Sequence, residues 1–180
     1  MSRHEGRTAA KTPSVDQGRW RLDRERSRVE FHVRNFYGLM TVKGRFASYD
    51  GTLELGAHPA VQLTIDAASL DTKNAKRDKH LRAADFFDVE RYAHVRFTST
   101  SATADGDSLQ VRGQLDAAGK QIPLELDAAV RVVDGELEVE AVTYADQRQL
   151  GMTWSPLGLL RAPSKVIVRA RLIREEGARR

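Results

Sequence analysis

From Trp20 onward the chain alternates apolar and polar residues with a period of two. In VEFHVRN, Val29, Phe31 and Val33 fall on one face, and Glu30, His32 and Arg34 on the other. TVKGRF repeats the pattern through Val42, Gly44 and Phe46, and VQLTID, VRFTST, LQVRGQL, IPLELDAAV and LEVEAV continue it. The last run, KVIVRARLIRE, sets Val166, Val168, Ala170 and Leu172 against Ile167, Arg169 and Arg171. Successive side chains of a strand point to opposite faces, so strict alternation predicts antiparallel sheet with one buried and one wet side. Asp134-Gly135 lies between two such runs, and both residues tolerate the positive φ that a two-residue hairpin demands. Asp105-Gly106 marks a second, looser turn. Eight or nine closely spaced strands with almost no helix predict an all-β fold, either a barrel or a two-sheet sandwich.

The alternation fails once, for about 25 residues between VQLTIDAASL and VRFTST. DTKNAKRDKHLRAADFF offers an N-cap at Asp71 or Thr72, then good helix formers without Gly or Pro. This predicts a helix of two to three turns over residues 74–83, followed by a turn into residues 86–88. The insertion belongs at one end of the sheet, where it covers an opening or anchors a rim.

Chemistry in this insertion is expected to be structural. Asp78 and His80 are two residues apart and point in different directions on a helix, so they form no ready acid–base pair. His80 has no second His at helical ligand spacing, and His32, His58 and His94 are scattered. Arg77, Asp78 and His80 therefore read as a polar cluster pinning the helix to the rim, with no catalytic residue, metal or cofactor expected. No GxSxG elbow, P-loop or GxGxxG pattern occurs. Zero cysteines exclude disulfides and thiolate chemistry.

Net charge, +4 overall, changes the picture little. Residues 1–19 hold four Lys/Arg against two Asp/Glu and residues 174–180 three against two, leaving about one positive charge on the body. A nucleic-acid binder concentrates cations on one face, so nucleic acid is not an expected partner. No run approaches the ~20 apolar residues of a membrane span. The first twenty residues lack the apolar core of an export signal, so the cytoplasm is the expected compartment. Residues 1–19 read as a disordered polar tail, 20–174 as the single domain and 175–180 as a short charged tail.

The apolar inventory points to an interior. Phe31, Phe46 and Phe97 lie on inward faces, Phe86 and Phe87 follow the helix, and LGMTWSPLGLL gathers Met152, Trp154 and Leu157. A small barrel encloses either packed side chains or an apolar ligand cavity.

Four blocks resemble the YceI-like family of lipocalin-like, polyisoprenoid-binding proteins. WRLDRERSRVEFHVRN matches the family opening through Trp20, Asp23, Ser27, Val29 and Phe31, and VKGRFASYDGTLEL follows through Val42, Gly44, Phe46 and Gly51. The most specific block carries Asp66, Ser69, Asp71, Thr72, Arg77, Asp78, His80, Leu81, Asp85, Phe86, Phe87 and Asp88, and LGMTWSPLG resembles a late G-(L/M)-T-W segment. The resemblance implies an extended eight-stranded antiparallel lipocalin-like β-barrel with a short helical insertion. It also implies an elongated pocket for a long-chain isoprenoid or other amphiphilic lipid, bound without catalysis. Pocket-wall residues are then expected at Phe31, Val33, Phe46, Leu63, Phe86, Phe87, Phe97, Met152, Trp154 and Leu157. Transient contact with a membrane surface and a homodimer remain open as further partners. An enzyme acting on such a lipid, or a stress-linked interaction domain with a solid core, are the alternatives.

Overall fold

The computed structural model describes residues 15–35, 40–152 and 163–176. Among the described residues are ten antiparallel strands: β1 (Gly18–Asn35), β2 (Met40–Phe46), β3 (Tyr49–Leu55), β4 (Ala60–Asp66), β5 (Leu70–Asp71), β6 (His94–Asp105), β7 (Ser108–Ala117), β8 (Lys120–Val133), β9 (Glu136–Ala145) and β10 (Ser164–Arg174). Eight of them, in the order β1-β3-β4-β6-β7-β8-β9-β10, close into a barrel through the pairing of β10 with β1.

The remaining two strands arise because β1 is long enough to serve two partners on one edge. Its first residues, 18–21, pair with β3, while residues 29–35 pair with β2. Strand β2 in turn pairs with the two residues of β5. The sheet thus divides at one end of the barrel, and the insertion predicted from the break in alternation closes there. Its helix, α1 (Ala75–Arg82), lies within the predicted residues 74–83, but its N-cap is neither Asp71 nor Thr72. Asn74 takes that role, its side chain accepting from the Arg77 amide. Asp71 instead accepts from the Lys73 amide and reaches Arg45 on β2.

Described structure begins before residue 20 and continues past residue 174. Gly18 and Arg19 belong to β1, and just before them Arg174 binds the Asp16 carboxylate at 3.2 Å and the Gln17 carbonyl at 3.0 Å. At the other terminus the Glu175 amide donates to the Arg19 carbonyl, and its carboxylate pairs with the Arg19 guanidinium at 3.0 Å. Polar segments beside a sheet edge still have backbone groups to satisfy, and these residues satisfy theirs on the barrel. Residues 1–14 and 177–180 lie outside the described residues.

A bulge in β1 lies between Asp23 and Arg28. Asp23 faces Arg171 and Arg28 faces Arg169, so β1 carries three extra residues there. Ser27 plugs the gap, its hydroxyl accepting from the Arg171 amide at 3.0 Å. Outside, Arg26 bridges Asp23 at 2.7 Å and grips both carboxylate oxygens of Glu136. The Arg26 guanidinium holds the Asp23 and Glu136 carboxyls below their ordinary values. The Lys73 amide does so for Asp71 and the Arg148 side chain for Asp146. All four are depressed in the folded state, so the unfolded chain takes up protons first as pH falls. Their contribution to stability is full above the ordinary carboxylate values of 3.8 and 4.5 and is lost as pH drops through the lower folded values. Urea denaturation midpoints measured across pH should therefore stay level near neutrality and decline below about pH 4. A midpoint that rises on acidification would contradict this assignment.

Candidate functional site

The barrel interior is not filled. A cavity of about 520 Å³ runs from Leu22 and Leu172 near one end to Val33, Val42 and Ser164 near the other, under the insertion. This overturns the solid-core alternative.

The reason lies in which residues the alternation turns inward. On β8, β9 and β10 several inward positions carry alanine: Ala128, Ala141, Ala145 and Ala170. Ala128 and Ala141 face each other across β8 and β9. Glycines at 44, 51 and 113 stand at inward positions of β2, β3 and β7. Rings and larger side chains reach inward from elsewhere, but not far enough to meet the short ones, so a void remains. Fully packed interiors tolerate few voids larger than a water molecule, so a space of this size is a built feature of the barrel.

Eight of the ten residues expected on the pocket wall come together on it: Phe31, Val33, Phe46, Leu63, Phe86, Phe87, Phe97 and Met152. Trp154 and Leu157 lie outside the described residues. Three of the rings form a continuous strip. Phe31 and Phe46 are 5.3 Å apart between centroids, and Phe87 meets Phe46 edge-on at 5.9 Å. The strip joins the barrel wall to the turn after α1, so the insertion is part of the cavity and does more than cover it. Two rings lie over glycines: Phe31 over Gly44, directly opposite on β2, and Phe97 over Gly113 on β7. Without a Cβ beneath, each ring settles against backbone and the lumen gains the space.

The polar residues of the insertion divide into two groups. Thr72, buried, is the centre of the first. Its amide and hydroxyl both donate to the buried Asp78 carboxylate, the amide at 2.9 Å. Arg77 donates to the Thr72 hydroxyl and carbonyl oxygens, each at 2.8 Å. His80, expected in the same cluster, turns toward the cavity, where its ring meets Phe86 edge-on at 5.5 Å and stands 3.9 Å from Asp85. Arg82 finishes the attachment by donating to the carbonyls of Ala68 and Leu70.

Among the wall residues that sequence reasoning did not single out, two sets stand apart. The inward alanines were one, and their signal was present: an inward position in a strand that carries Ala leaves volume unfilled. The other is a polar group comprising Thr143, Gln147 and Ser164. Thr143 donates to the Glu125 carbonyl at 2.7 Å, while the Gln147 carbonyl oxygen accepts from the Ser164 amide and hydroxyl. These polar atoms are committed to protein partners, which keeps the wall almost wholly apolar. Among the described residues, no group of three or more His, Asp or Glu is arranged to hold a metal ion.

The family model for the YceI-like domain matches residues 20–172. The chain belongs to the YceI-like domain family. Among its curated relatives is Protein YceI of Escherichia coli O157:H7, 38% identical over 115 residues, which are 61% of this chain and 60% of that protein. UPF0312 protein ECA1782 of Pectobacterium atrosepticum is 38% identical over 104 residues, 56% of this chain and 54% of that one. The matched segment thus spans 60% and 54% of the length of these two relatives. Solved structures share the fold. BcnA of Burkholderia cenocepacia superimposes with a TM-score of 0.75 at 17% identity, covering 83% of this chain and 98% of its own. A polyisoprenoid binding domain from Saccharophagus degradans, implicated in plant cell wall breakdown, gives 0.71 at 15% identity, covering 89% and 100%. The closed eight-stranded barrel with one short helix is therefore a YceI-like barrel.

Proposed function

We propose that this protein binds a long-chain isoprenoid or a similar amphiphilic lipid in the barrel cavity, and stores or carries it without changing it chemically. The observation that carries this reading is the cavity itself: about 520 Å³, walled mainly by aliphatic side chains and phenyl rings, with few polar groups among them. Such a wall recognises hydrocarbon and little else. Each methylene moved from water into it gains about 0.8 kcal/mol, so ten immersed carbons outweigh any single polar contact. Ordering a flexible chain opposes part of that gain, and selectivity among hydrocarbons of similar shape is accordingly loose. The family membership and the likeness to a polyisoprenoid binding domain support the same reading. Loading requires a donor, and a transient contact with a membrane surface is the partner this reading calls for.

Mass spectrometry of organic extracts from the purified protein tests the proposal directly. An isoprenoid or related amphiphile should be recovered in near-stoichiometric amount and chemically unchanged after prolonged incubation. Phe87→Ser should lower the amount retained by at least about tenfold, because it removes a wall ring and its edge contact with Phe46. Phe87 is only partly buried, so its melting temperature should move by a few degrees at most. Recovery of a chemically altered lipid would favour an enzyme, and extracts free of lipid together with no binding of added prenyl alcohols would refute the reading.

A further inference from the structure

Among the described residues that line the cavity, the two side chains able to carry positive charge are Arg77 and His80, both from α1. None of the lining residues is Asp or Glu, and the sequence of residues 36–39 and 153–162 holds neither. Helix geometry explains why the two come together. Arg77, His80 and Leu81 stand at positions i, i+3 and i+4, so they share one face of α1 and border the same space. The helix as a whole is basic, with Lys76, Arg77, Lys79 and Arg82 against Asp78 alone. Nearby carboxylates outside the helix have cations of their own: Asp71 pairs with Arg45 and Lys73, and Asp88 with Arg91.

The bonds of Arg77 show which part of its guanidinium is engaged. Nε donates to the Thr72 hydroxyl and Nη2 to the Thr72 carbonyl, each at 2.8 Å, so Thr72 occupies one edge of the planar group. Nη1 completes the adjacent edge, and it has no hydrogen-bond or ion-pair partner among the described residues. Two parallel N–H groups along such an edge match two oxygens of a carboxylate or phosphate. Asp78 is linked to Arg77 through the Thr72 hydroxyl and does not line the cavity, so an anion inside would meet the guanidinium before it met Asp78. Asp85, 3.9 Å from the His80 ring and 60% exposed, does not line the cavity either.

We infer that the amphiphile held in the cavity is acidic, with a carboxylate or phosphate head on the Arg77 guanidinium beside His80 and its hydrocarbon chain among the apolar residues of the barrel. The inference rests on the lipid-binding reading above and adds the chemistry of the head. A charge taken out of water is costly unless it is paired, and a half-buried guanidinium beside an apolar lumen offers the pairing that an anionic head needs. An uncharged head gains no such pairing.

Titration calorimetry with a prenyl alcohol, the carboxylic acid and the monophosphate of the same fifteen-carbon chain tests this on the wild-type protein at neutral pH. At least one of the two anions should bind about tenfold or more tighter than the alcohol, and the tighter of them names the head. A smaller preference, or an alcohol that binds best, would overturn the acidic head while leaving lipid binding in place. Failure of all three to bind would overturn the lipid-binding reading, and this inference with it. Acetate and inorganic phosphate alone should bind at least about a hundredfold more weakly than their prenyl counterparts, because they bury no chain. Equal affinity would mark a site for free anions and overturn the assignment to a lipid. Arg77→Met should bring the three prenyl ligands to within about threefold of one another. An undiminished preference in the folded variant would overturn Arg77 as the counter-charge. Should that variant fail to fold, side-chain nitrogen–proton NMR of the wild type decides: the Arg77 guanidinium signals should shift with the preferred anion and stay in place with the alcohol. Identical shifts with both would overturn the contact.

Discussion

Gly113→Ala is expected to lower the stability of the barrel by about 3 kcal/mol, the upper end of the usual range for overpacking a well-filled site. A Cβ at this position would stand 2.4 Å from the carbonyl oxygen of Thr98 and 2.6 Å from Cζ of Phe97. The ring could swing aside, but the carbonyl is part of the β6–β7 ladder and cannot move without breaking pairing next to the bulge at residues 99–101. Gly44→Ala provides the contrast. There the added Cβ would come within 2.2 Å of Phe31 Cζ, but its nearest neighbours are all atoms of that one ring. Phe31 can rotate into the empty lumen, so stability should fall by only about 1 kcal/mol while the cavity loses a ring's volume and lipid affinity drops. Paired urea denaturation and prenyl alcohol titrations on the two variants check both halves. Equal stability losses would mean that the lumen does not have the space described.

Asp78→Ala should cost about 2–4 kcal/mol, the second large effect. The carboxylate is 7% exposed and is the acceptor for both the amide and the hydroxyl of Thr72, which is 4% exposed. Removing it leaves a buried N–H without an acceptor and deprives Arg77 of the nearby negative charge that balances it. Asp78→Asn keeps a carbonyl oxygen for the Thr72 amide and should cost less, about 1–2 kcal/mol. The damage should be local as well as global. With Thr72 released, α1 loses its attachment to β5, and Leu81, Phe86 and Phe87 lose their place on the cavity wall. Amide hydrogen exchange over residues 75–92 should accelerate more than in β7–β10. A stability loss below about 1 kcal/mol for the alanine variant would mean that the Thr72 hub does not hold the insertion.

Much of the strand content was legible in the chain because a strand's inward face is a local, period-two property. Asp134-Gly135 was equally legible: its φ values of 53° and 78° are those which Asp and Gly tolerate in a tight hairpin. The hairpin between β7 and β8 was not, because Ala118 occupies the same left-handed region at φ 50° without belonging to any turn signature. Its partner Gly119 is required twice over, by a φ of 75° and by the ring of Tyr92 lying against it, where a Cβ would come within 2.3 Å.

The candidate site divides along the same line. Alternation and the family blocks pointed to Phe31, Phe46 and Phe97 as inward rings and to Phe86 and Phe87 beside them, since these follow from local pattern. That Thr72 ties Arg77 to Asp78 depended on how the chain folds back from β5 into α1. Even more was decided by closure. β1 meets β10 from more than 130 positions away, and only that pairing sets Leu22 against Leu172 and, through it, Leu137 beneath the cavity. By itself, then, the sequence determined the strands, their inward faces, the single insertion and the family. The tertiary structure alone decided that the barrel is hollow, because a void depends on the summed reach of side chains from opposite walls, and no local pattern contains the distance between them.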